Sequence, residues 1–373
     1  MVLADLGAEV IKVENPDGGD DTRHWGPPYI GGEAAYYLCA NRNKRSIAID
    51  ISTPEGQAIV RDLAARSDVL VENYKLGGLE RYGLDYASLA EINPALVYCS
   101  ISGYGRTSPI GARPGYDYVI QAEAGLMAVT GPVDGEPMKV GVAVADLYTG
   151  MAAAQAILAA LIARDRDGLG QFIDMALYDC QLAMMANVAS ASLASGNEPR
   201  RYGNGHPTVV PYQVFDTSDG RVVIAVGNDR QFAALCTMIG KGEIAADPRF
   251  AKNSSRVENR DELLPILTEL VTGHTTGWWL DGLRQAGIPC GEVRGIKAAL
   301  NSPETLARDM VTTVSHPTAG EISLVSSPLR LSATPVVPPR APPLLGEDSA
   351  AVLSGMGYDS DRISKLQAAR IIG

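Results

Sequence analysis

The sequence of 373 residues predicts an α/β fold: a large domain built on a parallel sheet, plus a smaller α+β domain. Three observations predict it. Strand and helix patterns alternate through the first half of the chain, as they do where helical crossovers join parallel strands. After about Ser195 that pattern gives way to a Gly-, Pro- and Asn-rich stretch and then a hairpin signal. Hydrophobic residues make up 46% of the chain, enough to bury a sizeable core in one large domain or two.

Glu9–Glu14 (EVIKVE) reads as the first strand and Ser46–Ile51 (SIAIDI) as the second. A helix start follows, with Thr53 as N-cap, Pro54 at the first helical position and Glu55 in the first turn, where a carboxylate suits the helix dipole. Asp68–Asn73 is the third strand. Leu96–Ser102 (LVYCSIS) is the fourth, apolar and β-branched enough to be buried on both faces, and Gln171–Met175 is the fifth. The longest apolar run, Met151–Ala163, is too short to span a membrane and reads as a buried helix. Residues 1–195 thus form the large domain. The segment GNEPRRYGNGHPTVVPY is a linker or a site-forming loop, and VFDTSDGRVVIAV holds two strand patterns joined at Asp219-Gly220. One helical pattern starts near Asn259, with Glu262 set for a variant capping box; another runs from near Thr276 to Gly287. Residues 205–299 form the small α+β domain. From His316 to Leu345 the chain is proline-rich and expected to be an extended strap, and a last helix covers about Ser360–Ala369. Residues 300–373 are therefore an extended return that ends in a helix and rejoins the large domain.

Composition narrows the function. Lys and Arg number 32 against 43 Asp and Glu, a net charge of −11. Nucleic-acid binders carry a net basic face, so that class is disfavoured. Cys39, Cys99, Cys180, Cys236 and Cys290 are odd in number, scattered and without a CxxC pair. That argues against a disulfide scaffold or a zinc site and fits a reducing, cytoplasmic setting. The start, MVLADLGAEV, has no basic lead and does not read as a secretory signal. The chain has no GxxxxGK[ST], no GxGxxG after a strand, no HExxH and no GxSxG, and His24, His206, His274 and His316 lack metal-ligand spacing. No metal is expected.

Three features remain. Arg42, Lys44 and Arg45 crowd the stretch from Asn41 to Ser46. Such a cluster is either a solvated loop or a clamp for phosphate groups. Glycine-containing turns at Ser102–Pro109 (SGYGRTSP) and Ala225–Asp229 (AVGND) would let backbone amides approach a ligand, although most such glycines only make turns. Third, KVGVAVADLYTG (Lys139–Gly150) sets Asp146 between an apolar segment and a helix start. Burial would raise the pKa of this carboxyl and the helix N-terminus would lower it. Asp146 either caps the helix or acts as a nucleophile, which is feasible toward an activated electrophile such as a thioester.

These blocks resemble family III coenzyme A transferases, the group that contains formyl-CoA and carnitine CoA-transferases (the CaiB/BaiF type). The resemblance is carried by LGAEVIKVE (Leu6–Glu14), NRNKRSIAIDI (Asn41–Ile51), Val71–Asn73, GYGRTSP, KVGVAVADLYTG and GHPTVVPYQVF, in this order across nearly the whole chain. It implies a Rossmann-like large domain, a small domain and an interlocked homodimer. It also implies transfer of CoA from an acyl-CoA donor to a carboxylic acid through enzyme-bound anhydrides, with no permanently bound cofactor, no nucleic acid and no membrane. The family's catalytic aspartate falls on Asp146. Its CoA contacts fall on Asn15, on Ile49, Asp50, Ile51 and Ser52, on Asn73, Tyr74 and Lys75, and on Arg81, with Arg113 as the cation before Tyr116. Some relatives carry arginine at the position of Asn15, so that phosphate contact is expected either to be lost or to be made by Lys44 or Arg45. Gly227 and Asn228 match a mobile loop over the active site, although the run here is less glycine-rich.

Two departures matter. Met1 falls where relatives have the middle of their first helix, so the usual first strand and its following loop are missing, through a late-assigned start codon or a truncation. A sheet short of a strand exposes an edge, so this chain is expected to be poorly stable; a cooperative melt at ordinary mesophile temperature would contradict that. The same superfamily also includes 2-methylacyl-CoA racemases, which use a Gly-His-Asp segment. Here it reads Gly115-Tyr116-Asp117, and a tyrosine of pKa about 10 is a poor base at neutral pH. Tyr116 and Asp117 are expected in the substrate pocket instead, although Asp117 also reads as a plain helix start. The block from Arg201 to Cys236 resembles the succinyl-CoA:glutarate (hydroxymethylglutarate) branch, with Arg200, Arg201, His206 and Arg230 as candidate cations for a distal carboxylate, although each also reads as a plain surface residue. Alternatives are the racemase chemistry and a non-catalytic CoA-binding subunit of a heteromeric transferase.

Overall fold

The computed structural model describes all residues, 1–373. The chain divides into two compact units: Met1–Ile120 with Ala143–Met184 and Leu300–Gly373, and Gln121–Val142 with Met185–Ala299. This division differs from the sequence boundaries in two places, because Gln121–Val142 and the helix Ala186–Ser195 both belong to the second unit.

In order, the first unit contains α1 (Val2–Asp5), β1 (Val10–Glu14), the short strands β2 (Tyr29–Ile30) and β3 (Glu33–Ala34), α2 (Ala35–Leu38), β4 (Lys44–Ala48), α3 (Pro54–Arg66), β5 (Val69–Glu72), α4 (Tyr86–Ile92) and β6 (Val97–Ser102). After α5 (Asp117–Glu123) and α6 (Leu126–Val129), the chain continues with α7 (Val144–Asp167), β7 (Phe172–Ala176) and α8 (Leu177–Met184). Its parallel strands form two sheets rather than one: β1 pairs only with β4, and β6 lies between β5 and β7. β1 and β5 each keep an unpaired edge. β6 is buried along Val97–Ser100, as its apolar sequence expects. The second strand begins two residues earlier than its sequence pattern, because Lys44 and Arg45 pair in register with Val10 and Ile11. α3 starts as expected, with the Thr53 hydroxyl accepting from Gly56 N at 3.1 Å.

The core of this unit joins distant stretches of sequence. Ile47, Ile59, Leu89, Leu96 and Tyr98 pack with Val352, Leu353, Ile363 and Leu366 of the returning C-terminal segment. At about 25 cal/mol per Å² of apolar area removed from water, such packing is the main stabilising force. The return is not the simple strap that its prolines suggest. His316 ends a strand, β11 (Val311–His316), that forms an antiparallel hairpin with β12 (Gly320–Val325). Val314, Ile322 and Leu324 alternate inward from this hairpin onto Tyr37 and Leu38. The extended stretch begins only after Val325, and there Pro343 O accepts from Arg23 and Tyr37.

α7 also differs from its reading. It covers 24 residues, and it is the one helix long and apolar enough, by length and composition, to cross a membrane. It packs on β6, β7 and α8 through one face, which buries Ala153 and Ile157. Leu147, Leu158 and Ile162 remain exposed, so the helix is half-buried rather than buried.

In the second unit α9 (Ala186–Ser195) precedes an antiparallel sheet in which β9 (Arg221–Ala225) lies between β8 (Tyr212–Asp216) and β10 (Cys290–Glu292). Phe215, Val222 and Ile224 meet Phe232, Leu267 and Trp279 in its core. The hairpin loop spans Thr217–Gly220, and the Asp219 carboxylate accepts from Thr276 N at 2.7 Å. No capping box forms at Asn259. Its side chain donates to Ser255 O at 2.9 Å, and Glu262 pairs with Arg249 at 2.5 Å. Buried Arg256 donates to Val210 O and Phe250 O and pairs with Asp229 at 3.0 Å. A guanidinium in a core is tolerated only when its donors are satisfied in this way.

Candidate active site

Asp146 stands in the first turn of α7, three residues after the N-cap position at Ala143, which has no side-chain cap. The cap comes from elsewhere in the sequence. Asp117, the first residue of α5, accepts from Ala145 N at 2.8 Å and from Asp146 N at 3.4 Å. Asp146 therefore does not cap the helix; its own carboxylate accepts no hydrogen bond. Asp146 is exposed at the surface, although protein packed around it still withdraws part of its hydration. Burial, followed by the negative charge of Asp117, pushes the Asp146 carboxyl up to about 6. Of the influences read from the sequence, burial is the one that raises this carboxyl.

The position of Asp117 follows from two glycines. A Cβ on Gly103, just after β6, would lie 2.7 Å from the Cα of Gly115, and the reverse contact is equally close. Only bare backbones pack this tightly. The close approach ties the end of β6 to the segment Gly115-Tyr116-Asp117 and so to the first turn of α7. Tyr116 is exposed. Tyr36 joins this region, although sequence reasoning passed over it. Its phenol is pushed up by burial and then by the charge of Asp146, and its ring meets Trp25 edge-on at 5.0 Å. The only available signal was the aromatic pair Tyr36-Tyr37 in a helix of four residues, which reads as core.

The remaining candidates follow strand ends. Asn15 directly follows β1, and its Oδ1 accepts from Asp17 N at 2.9 Å. Ile49, Asp50, Ile51 and Ser52 follow β4, with Asp50 Oδ1 accepting from Ser52 N at 2.9 Å and from its hydroxyl at 2.6 Å. Ile49 itself lies in the core, so its side chain is turned away from any ligand. Asn73, Tyr74 and Lys75 follow β5 and are exposed. The carboxyl ends of parallel strands are where open α/β sheets bind ligands. Arg81 is exposed on a short 3₁₀ turn beside the Tyr82 ring, and the Arg113 guanidinium lies over the Tyr104 ring at 5.1 Å.

The basic cluster does not converge into one clamp. Buried Arg42 makes a forked pair with Asp5 at 2.6 and 2.9 Å and donates to Val325 O. Arg45 bridges Glu9 at 2.6 Å and Asp348 at 3.2 Å. Lys44 donates to Asn41 Oδ1 at 2.8 Å; burial and then the charge of Lys12 lower its ammonium to about 8. In the second unit Asn228 caps α10 (Asp229–Met238) by accepting from Gln231 N at 3.0 Å, and Gly227 N donates to Gln231 Oε1. Arg201 donates to the carbonyls of Ala128, Pro132 and Gly135, so its fork is occupied within the chain rather than open to a substrate carboxylate. No group of three or more His, Cys, Asp or Glu side chains gathers where it could hold a metal, and all five cysteines are free thiols.

A free carboxylate of raised pKa, near loops that follow parallel strands, suits acyl chemistry on a thioester. Comparison with known proteins agrees. The model of "CoA-transferase family III" matches residues 1–349. A human succinyl-CoA:glutarate CoA-transferase is 43% identical over 373 residues, covering 100% of this chain and 85% of that protein. A succinate–glutarate CoA-transferase of Agrobacterium fabrum is 46% identical, covering 95% and 90%. The crystal structure of a CAIB/BAIF family protein from Brucella suis superposes with a TM-score of 0.84 at 47% identity, covering 95% of this chain and 93% of that one. The chain belongs to CoA-transferase family III and is a CoA-transferase, with CoA thioesters as substrates rather than as a resident cofactor.

Proposed function

We propose that this enzyme moves CoA from succinyl-CoA to a carboxylic acid, with glutarate the first acid to test, through an acyl group carried on Asp146. The observation that carries this reading is the Asp146 carboxylate itself, which is free of hydrogen bonds and raised to about 6. At neutral pH it is ionised, and no donor occupies its oxygens, so it is available as a nucleophile.

The steps balance as follows. A carboxylate oxygen of Asp146 attacks the thioester carbonyl and expels CoA thiolate, leaving a succinyl–aspartyl anhydride. The thiolate attacks the aspartyl carbonyl, releases succinate and forms an aspartyl-CoA thioester. The acceptor carboxylate attacks that carbonyl and expels the thiolate again, giving a second anhydride. Attack of the thiolate on the acceptor's acyl carbon yields the new acyl-CoA and restores the Asp146 carboxylate. Each tetrahedral oxyanion needs amide or hydroxyl donors, and both anhydrides must be kept from water. Tyr36 and Tyr116 are the nearby phenols suited to donate, Tyr36 because it remains protonated beside the negative charge.

CoA is proposed to lie along the strand-end residues Asn15, Asp50, Ile51, Ser52, Asn73, Tyr74 and Lys75, with Arg81, Arg113 and Lys44 as its cations. Ile49 takes part only through its backbone, and Arg45 only if it leaves a carboxylate. Gly227 and Asn228 are proposed as substrate-loop residues. The fold is proposed to be Rossmann-like, the assembly an interlocked homodimer and the compartment the cytoplasm.

The test is incubation with succinyl-CoA and hydroxylamine, followed by mass spectrometry. An aspartyl hydroxamate at position 146 is expected. An unmodified Asp146 peptide in active enzyme overturns the proposal, and α-proton exchange in heavy water with no adduct would assign the racemase chemistry instead.

A further inference from the structure

Arg106 is the arginine of the glycine turn after β6, and its hydrogen bonds fasten the carboxyl ends of three parallel strands. Its Nε donates to Ser100 Oγ of β6 at 2.6 Å. Its Nη2 donates to Glu72 Oε1, the last residue of β5, at 2.7 Å and to Tyr74 O at 2.9 Å. Its backbone N reaches both carboxylate oxygens of Asp174, in β7, at 2.9 and 3.0 Å. Gly105, at φ +84°, makes the turn that presents this amide. The second oxygen of Glu72 accepts from Tyr74 N at 2.7 Å, so both backbone polar groups of Tyr74 are held by this one ion pair. Ser100 is fully buried, and the Arg106 and Glu72 side chains are 14% and 7% exposed, so the pair is screened less than a surface one. Meanwhile the side chains on either side of Tyr74 are exposed.

We propose that Arg106 is a positioning residue for coenzyme A: it fixes the backbone of Asn73-Tyr74-Lys75 so that this loop meets the nucleotide part of the thioester. This rests on the reading above that the loop contacts CoA. No hydrogen-bonding group of Arg106 needs to touch the ligand. A planar fork is required, because three acceptors on two strands and a loop must be met at once; a lysine ammonium can hold Glu72 but cannot also span Ser100 and Tyr74 O.

The experiment compares Arg106→Met, Arg106→Lys, Asn73→Ala, Lys75→Ala and the Arg106→Met/Lys75→Ala double variant in steady-state succinyl-CoA:glutarate transfer. Arg106→Met is expected to raise KM for succinyl-CoA about tenfold, through loss of charge-assisted hydrogen bonds, with kcat changed less than about twofold. Arg106→Lys should fall between Arg106→Met and the parent. The double variant should be no worse than Arg106→Met, because a loop out of place has already lost its Lys75 contact. If Lys75→Ala raises KM and Arg106→Met does not, the positioning role is overturned. A fall in kcat and melting temperature at unchanged KM likewise overturns it, because that marks a purely structural arginine. Should neither Lys75→Ala nor Asn73→Ala move KM, the CoA reading of the loop fails and the proposal falls with it. If Arg106→Met does not fold, Arg106→Lys and Arg106→Gln are judged by the same KM and kcat criteria.

Discussion

At the scale of single residues, two aspartates divide the work at the start of α7. Asp117 accepts the amides of Ala145 and Asp146, and its charge helps to raise the carboxyl of Asp146. Transfer requires the carboxylate, so kcat/KM for succinyl-CoA should rise as pH passes through about 6 and level off above it. Asp117→Asn keeps an oxygen to cap the helix but removes the charge, so the acid limb should move to lower pH in a pH–rate profile; an unmoved limb would reject the assignment. Asp146→Asn should lower kcat by about 10⁴-fold. It should also raise stability at neutral pH. A carboxyl whose pKa is raised on folding stabilises the fold below its unfolded pKa, and that contribution is lost as pH rises through about 6. The gain in melting temperature at pH 7 should therefore fade below pH 4. Asp146 was legible as a candidate because it stands between an apolar segment and a helix start. The cap from Asp117 was not, since it joins positions 28 residues apart and neither end carries a local signature.

At the scale of elements, the strands and α3 were readable from β-branched runs and from Thr53-Pro54, because these signals are local. The division into two parallel sheets was not readable. Each strand has the same apolar pattern whether its neighbour is present or absent, so sequence alone gave no reason to separate β1–β4 from β5–β7. The cation cluster misled for a related reason: Arg42 meets Asp5, 37 positions away, and nothing nearby announces that partner. The glycines of the loop after β6 are visible in the sequence, and the pair that matters is Gly103 with Gly115. Gly103→Ala would bring its Cβ within 2.7 Å of backbone, so something must shift. We expect a cost of about 1–3 kcal/mol in stability and, because the displaced segment carries Asp117, a drop in kcat of at least about tenfold. Urea melts and steady-state rates check both. Parent-like values for the two would mean that this contact does not position the site. In the same unit Leu353→Ala should cost about 3 kcal/mol, as it opens a cavity where the C-terminal return meets α3 and β4.

At the scale of the whole molecule, the apolar content of α7 exceeds what its own unit covers. Leu147, Met151, Leu158 and Ile162 recur at intervals of four and seven residues, which sets them along one stripe of the helix, and all four are exposed. Single exposed apolar residues are ordinary, but a contiguous stripe on the helix that bears Asp146 marks a surface to be covered. By length and composition α7 could cross a membrane, yet its other face packs on β6, β7 and α8, and Asp146 lies in its first turn. A second protein surface is the cover consistent with both facts, and a second copy of this chain is the one that the proposed homodimer supplies. Sedimentation velocity on the parent should then give the mass of a dimer. Leu158→Glu with Ile162→Glu should release monomers or shift the dimer constant by at least about a hundredfold, since burying two unpaired carboxylates is far costlier than exposing two aliphatic side chains. The variant's far-UV spectrum should stay native, because both positions are already in water in the isolated chain. A parent that sediments as a monomer, or a double variant that dimerises as tightly as the parent, would remove this stripe from the assembly and leave its apolar character without a role.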